Sequence, residues 1–171
     1  MVVSRKIGAP IDPEVAIGAV MPDGTYFLND YIMQTLNVPQ NYVDEQVNLQ
    51  TREIERRLIS FRGSKEYNSE LKEKTVVLVD DGIATGATII SAAQWLKTKQ
   101  SCKELVIAVP VAPRDTVDRL KQIIGNNDKV LVLYTPEPFN AVGQFYEDFG
   151  QVSDDDVKKI MKRHGYKINS V

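Results

Sequence analysis

The apolar positions of this chain keep two rhythms, a helical one before residue 62 and a strand–helix alternation after residue 74. From Tyr42 to Phe61, the residues Val43, Val47, Ile54, Leu58 and Phe61 recur at steps of three, four and seven, which predicts an amphipathic helix. Upstream, residues 2–4 read as the tail of a strand with Arg5 and Lys6 at its end. Residues 14–20 and 25–28 read as short strands around Pro22-Asp23-Gly24, with glycine where a turn needs positive φ. Residues 61–74 read as a polar loop. Beyond it, residues 76–79, 104–109 and 129–134 read as three strands. Between them, residues 87–99 form a predicted helix with Ile89, Ala93, Trp95 and Leu96 available for packing. Residues 114–124 form another, starting near an Asp115 or Thr116 cap. A long aromatic loop, residues 135–150, precedes a Ser153–Asp156 capping box and a last helix.

Strand, helix, strand, helix, strand is the pattern of parallel strands joined by crossover helices. The expected fold class is α/β, a parallel sheet with crossover helices, in a single domain over residues 1–171. No internal repeat or low-complexity segment interrupts it. Such sheets take ligands at the carboxyl ends of their strands. The stretch TVVLVDDGIATGATI, residues 75–89, lies at such an end.

Composition narrows the chemistry. The chain has 171 residues, 43% apolar and 26% charged, with a net charge of -2, in the range of a soluble globular domain. Without a basic excess, no nucleic-acid partner is expected. No apolar run approaches the roughly 18 residues of a membrane span, and MVVSRKIGAP has no signal-peptide core. No membrane partner is expected, and the expected location is cytoplasmic. One cysteine, Cys102, excludes an internal disulfide framework and a cysteine zinc site. The one histidine, His164, falls in the last turn of the final predicted helix, where a cation suits the dipole and Gly165 stops the helix. Histidine-based hydrolysis or metal chemistry is not expected.

The motif itself joins opposite demands. Asp80 and Asp81 end a greasy strand, and the loop that follows, Gly82, Ile83, Ala84, Thr85, Gly86, Ala87 and Thr88, opens a helix. Unpaired N–H groups and the dipole make a helix start attractive to anions, and Gly82 and Gly86 allow tight turns. Thr85 and Thr88 add hydroxyl donors. Like charges repel, so the two acids are not for the phosphate. Carboxylates accept hydrogen bonds, and a sugar diol offers two donors. A ribose 5-phosphate satisfies both ends. The spacing is neither the dinucleotide fingerprint nor the nucleoside-triphosphate loop. An acid pair could also bind Mg²⁺ directly, which leaves the Thr-Gly loop without a task. The plain structural alternative is a glycine-rich turn with two solvated acids.

Residues 76–88 resemble the phosphoribosyl-pyrophosphate (PRPP) signature of type I phosphoribosyltransferases. VSRKIGAP, PEVAIGAV, AVPVAP, TPEPFNAVGQFYEDF and QVSDDDV extend the resemblance over nearly the whole chain, to a largely uncharacterised prokaryotic subgroup. The resemblance implies a small hood or hairpin region from about residues 12–62 and 135–171. It implies transfer of the ribose 5-phosphate of PRPP to a small nitrogenous base, with Mg²⁺ as cofactor and release of pyrophosphate. Carried over by position, Asp80 and Asp81 face the ribose hydroxyls as catalytic carboxylates, and could also contact Mg²⁺ held by PRPP. Gly82 to Thr88 hold the 5-phosphate, and Arg5 and Lys6 serve the pyrophosphate. Phe139 stacks on the base, with Val142 lining the site; these aromatics could equally pack a cap. A homo-oligomer, a dimer, is the expected assembly.

Ala84 stands where 6-oxopurine enzymes usually carry Asp, and DDGIATGAT is nearer the adenine type. PFNAVGQFYEDF is nearer the 6-oxopurine hood. A purine-type base is favoured, without a named substrate. Full-length relatives begin earlier, with a helix, a strand and a glycine-rich loop that grips pyrophosphate. The expectations are then a second subunit, a start upstream of Met1, or a PRPP- or nucleotide-binding protein without transfer. A Mg²⁺-dependent phosphatase using Asp80 and Asp81 is a third class of reading. Arg52, Arg56, Arg57 and Arg62 read as a solvated helix face laced by Glu53 and Arg57, with Arg52 and Arg56, one turn apart, as an alternative reach toward pyrophosphate. Asp154, Asp155 and Asp156 read as first-turn acids.

Overall fold

The computed structural model describes residues 2–13, 15–65, 71–166 and 168. Glu14 at the head of the second predicted strand, residues 66–70 of the polar loop, and residues 167 and 169–171 of the expected hood lie outside them. The chain divides into two compact units, Met1–Asn68 with Gly150–Val171, and Ser69–Phe149.

The first unit is a hairpin sheet under one long helix. Strands β1 (Arg5–Gly8), β2 (Ala16–Val20) and β3 (Tyr26–Leu28) pair antiparallel in that order. The Pro22-Asp23-Gly24 turn joins β2 and β3 as expected, with Gly24 at φ +79°. The first strand differs from expectation. Arg5 and Lys6 open it, opposite Val20 and Ala19, and do not close it. Partners fix its position: Ile7 is fully buried opposite Gly18, and, among the described residues, residues 2–4 have no strand to pair with. Helix α1 (Asp30–Thr35), which the apolar pattern does not mark, is short and capped by Asn29, whose side chain accepts from Ile32 N–H at 3.2 Å. Helix α2 (Gln40–Arg62) buries Val43, Ile54, Leu58 and Phe61, four of the five apolar positions that predict it; Val47 is half-buried. Ile54 and Leu58 join Val3, Ile7, Ile17 and Val20 in this unit's core. Helix α5 (Asp154–Arg163) starts at Ser153, which accepts from Asp156 N–H, and ends at His164, as its pattern predicts.

The second unit is the parallel α/β part. Strands β4 (Thr75–Val79), β5 (Glu104–Val111) and β6 (Lys129–Tyr134) lie in that order, all parallel, with α3 (Ala87–Thr98) and α4 (Arg114–Ile123) as crossovers. The mixed α/β class with a parallel sheet is as expected. Strand β5 runs two residues further than its pattern suggests. Pro110 withholds one ladder donor, and pairing resumes at Val111 opposite Tyr134. On one face of β5, Leu105, Ile107, Val109 and Val111 are buried, as are Trp95 and Leu96 of α3 and Val117 and Leu120 of α4. Burying aliphatic and aromatic side chains of this size is worth about 1.5–3 kcal/mol each. The tight turn before β6 is held by Asp128. Its buried carboxylate accepts from Lys97 Nζ at 2.9 Å, Leu105 N–H at 2.8 Å and Gly125 N–H at 2.9 Å. Burial works to raise the pKa of this carboxyl. The bonds from Lys97 and the two N–H groups outweigh it, so the group sits below the ordinary aspartate range.

Candidate active site

Strand β4 delivers Asp80 and Asp81 to its carboxyl end, both exposed. Asp80 Oδ1 accepts the Asp81 N–H at 3.0 Å. The Asp80 carboxyl is pushed above the ordinary aspartate range, first by local desolvation of the carboxyl, although the residue as a whole is exposed, and then by the charge of Asp81; the Asp81 N–H opposes both. A raised acid costs stability when ionised. Such a cost is common where a charge is held for a ligand.

The next two residues turn inward. Gly82 and Ile83 are buried, and the Ile83 N–H is committed to the Val111 carbonyl at 2.9 Å. A side chain at 82 has no room, because a Cβ there would lie 2.6 Å from Val142 Cγ1 and 2.9 Å from Val111 Cγ2. Gly86, at φ +81°, is the N-cap of α3. Among the described residues, the N–H groups of Ala84, Thr85, Gly86, Ala87 and Thr88 have no protein acceptor. The carbonyls of the same turn do have partners. Thr116 Oγ1 donates to Ala84 O at 3.0 Å, Arg119 Nη2 donates to Thr85 O, and Ile90 N–H donates to Gly86 O at 2.8 Å. Tyr146 Oη donates to Asp81 O at 2.5 Å.

The aromatic loop is folded on itself. A 3-10 turn, Val142–Phe145, sets Val142 against Gly82. Gln144 Oε1 accepts from Asn140 N–H at 2.8 Å and Ala141 N–H at 3.2 Å, and its amide donates to Pro138 O at 3.0 Å. Phe139 packs on Phe145 with ring centroids 5.0 Å apart, and Tyr146 on Phe149 at 5.2 Å. This unit thus brings together the acids, the Gly82–Thr88 turn and Val142. Arg5 and Lys6 belong to the other unit, where Arg5 Nε donates to Gln50 Oε1 at 2.9 Å.

One expectation is corrected. Neither Asp115 nor Thr116 caps α4; Pro113 holds that position without a side-chain bond, and the Thr116 hydroxyl goes to Ala84. The α2 arginines follow the expected face laced by Glu53, which takes Arg57 and Arg56, and Arg56 also reaches Asp154 on α5 at 2.7 Å. Sequence reasoning gave no role at the site to Thr116, read as a helix cap, or to Arg119, Gln144 and Tyr146. The only signal was the polar start of α4 directly after the AVPVAP segment. No group of three metal-ligating side chains occurs among the described residues, and no helix there is long and apolar enough to cross a membrane.

Known proteins carry the same pattern. The family model described as a phosphoribosyl transferase domain matches residues 15–134, a span that includes β4, the acids and the turn. Two Mycobacterium tuberculosis proteins, of strains CDC 1551 / Oshkosh and ATCC 25618 / H37Rv, bear provisional phosphoribosyl transferase names. Each is 39% identical over 163 residues, covering 95% of this chain and 36% of its own length. The chain therefore spans about a third of the length of these curated relatives. The crystal structure of TT1426 from Thermus thermophilus superposes with a TM-score of 0.66 at 36% identity, covering 95% of this chain and 74% of that one. Matched over most of its length in sequence and in fold, this chain belongs to the phosphoribosyl transferase family and has the α/β fold of its type I members.

Proposed function

We propose that the chain transfers the ribose 5-phosphate of PRPP to a small nitrogenous base, purine-type favoured, and releases pyrophosphate. One observation carries this reading. Two residues beyond a pair of exposed carboxylates, five successive N–H groups, from Ala84 to Thr88, are left without protein acceptors among the described residues. A ligand that fits needs hydroxyl donors at one end and an anion at the other. Asp80 and Asp81 accept from the ribose hydroxyls. The N–H groups and the Thr85 and Thr88 hydroxyls take the 5-phosphate, while Gly82 and Ile83 shape the approach. Each hydrogen bond to an ionised oxygen contributes about 1.5–3 kcal/mol.

In the reaction, the bond from C1 to the pyrophosphate oxygen breaks, its electron pair leaves with pyrophosphate, and a base nitrogen bonds to C1 as its proton is lost. The sugar is cationic between the two, and nearby carboxylates stabilise that charge. Mg²⁺ is the proposed cofactor. The cation would arrive held by PRPP, keeping waters and substrate phosphates as its ligands, and Asp80 and Asp81 are the carboxylates that could also contact it. It would supply neutralisation of the leaving group. Arg5 and Lys6 are assigned to pyrophosphate, Phe139 and Val142 to the base, on the resemblance. A cytoplasmic homodimer completes the proposal.

The test is incubation with PRPP, Mg²⁺ and a panel of bases, with detection of pyrophosphate. Base-dependent pyrophosphate release supports the proposal. Binding without release assigns the site to a PRPP- or nucleotide-binding protein, and release of inorganic phosphate assigns it to a phosphatase. Neither binding nor release overturns all three.

A further inference from the structure

The polarity of the turn after the acids is set from outside it. A peptide turn has as many carbonyls as N–H groups, and an anion cup works only when the carbonyls face elsewhere. Here the carbonyls of Asp81, Ala84, Thr85 and Gly86 are all tied back: to Tyr146, Thr116, Arg119 and the Ile90 N–H. Three of the four ties are side chains, and they come from 32 to 65 residues away in sequence. The N–H groups of residues 84–88 have no such partners among the described residues. Over residues 84–86, then, the acceptors are held back while the donors are left open.

We infer that Thr116, Arg119 and Tyr146 are positioning residues that fix the donor-outward orientation of the Asp81–Thr88 turn. The inference rests on the PRPP reading of this site and deepens it. Thr116 is buried, and its hydroxyl occupies the Ala84 carbonyl. Its methyl closes the space beside Gly86, where a Cβ would lie 2.9 Å from Thr116 Cγ2. Arg119 is exposed and reaches the same turn: Nη2 would lie 3.3 Å from a Cβ at 86. A guanidinium carries five N–H donors, so beyond the bond to Thr85 it adds positive charge beside the cup. Tyr146 ties the aromatic loop to the Asp81 carbonyl, while Val142 of the same loop covers Gly82. The carboxylates and the loop assigned to the base therefore share one fastening. Removing it should loosen the sugar end through the Asp81 carbonyl.

The probe is ribose 5-phosphate, titrated by calorimetry alongside PRPP, with thermal melting of each variant. Thr116→Val and Tyr146→Phe each remove one donor with little change of shape, and Arg119→Ala removes a donor and a charge. Each is expected to weaken both ligands about three- to tenfold, the worth of one net hydrogen bond, with Thr116→Ser restoring the affinity that Thr116→Val loses. Wild-type affinity in the three variants, at unchanged melting temperature, overturns the inference. Equal loss in Thr116→Val and Thr116→Ser also overturns it, since the hydroxyl is then not the agent. Should Thr116→Val fail to fold, Arg119→Ala, at an exposed position, decides alone. A wild-type protein that binds neither ligand overturns the PRPP reading itself, and this inference falls with it.

Discussion

Two regions of this molecule concentrate charge beside a helix and handle it in opposite ways. On α2 and α5, Glu53 takes Arg56 through both carboxylate oxygens and Arg57 through one, at 2.7–2.9 Å, while Arg56 also reaches Asp154. Every one of these groups has its counter-charge within the same unit. At the end of β4, Asp80 and Asp81 share no cation among the described residues, and the turn beyond them leaves a row of donors open. Paired charges of the first kind fasten helices. Held but unpaired groups of the second kind wait for a ligand. The distinction is one of partners, not of charge density, and sequence alone shows only the density.

The largest expected effect tests the paired side at its most buried point. Asp128→Ala strands two backbone N–H groups, each costing about 1–3 kcal/mol when left unsatisfied, and Lys97, which at 32% exposure regains part of its hydration. Chemical unfolding should show a loss of that size. The native pKa of Asp128 is depressed, so its contribution is present above the unfolded-state pKa and disappears as pH falls through the folded one. The gap between wild type and variant should therefore close below about pH 4. A gap that persists in acid would mean that the charge is not what stabilises the turn.

The open side should behave the other way. Asp80→Asn with Asp81→Asn is expected to lower pyrophosphate release about a hundredfold or more, the usual scale for removing groups aimed at a transition-state charge. Stability should hold or rise. The Asp80 pKa is raised in the folded protein, so its ionisation works against folding, and that penalty appears as pH rises through the folded pKa. For the same reason PRPP affinity should begin to fall, on acidification, at a higher pH than an ordinary aspartate would give. A double variant that loses stability at neutral pH would move the acids to the paired class. Gly86→Ala lies between the two sides: a left-handed φ of +81° costs an L-residue about 1–2 kcal/mol, and melting should register it together with weaker PRPP binding.

Much of this was legible in the chain because the signals are local. The steps of three, four and seven that place α2 follow from one buried helix face, and Val76–Val79 running into Asp80-Asp81 marks a strand end whatever lies around it. The resemblance carried by the same residues gave the family. What stayed hidden depends on distant partners. Thr116 looks like a helix cap until the Ala84 carbonyl, 32 residues earlier, is seen beside it. Tyr146 looks like one more aromatic in a loop until its hydroxyl meets Asp81, 65 residues away. The start of β1 moved because its register is set by β2, and α1 is too short for any periodicity to build up.

The smallest expected effect is the sharpest check on the comparison. Arg56 first, then Arg57, hold the Glu53 carboxyl down to about 2, against the desolvation that would raise it. Taken at face value that shift would be worth several kcal/mol, but Arg56 is half exposed and Glu53 about a quarter. Water and salt screen such a pair, so Glu53→Gln should cost only about 0.2–1 kcal/mol. The sign follows from the depressed value: the contribution is present above the unfolded-state pKa of Glu53 and fades as pH falls toward 2. Added salt should shrink it further. PRPP affinity should not change at all, because these charges already have partners and none is reserved for a ligand. A Glu53→Gln protein that binds PRPP more weakly at unchanged stability would show that the α2 arginines serve the site, and the division drawn between the two regions would have to be abandoned.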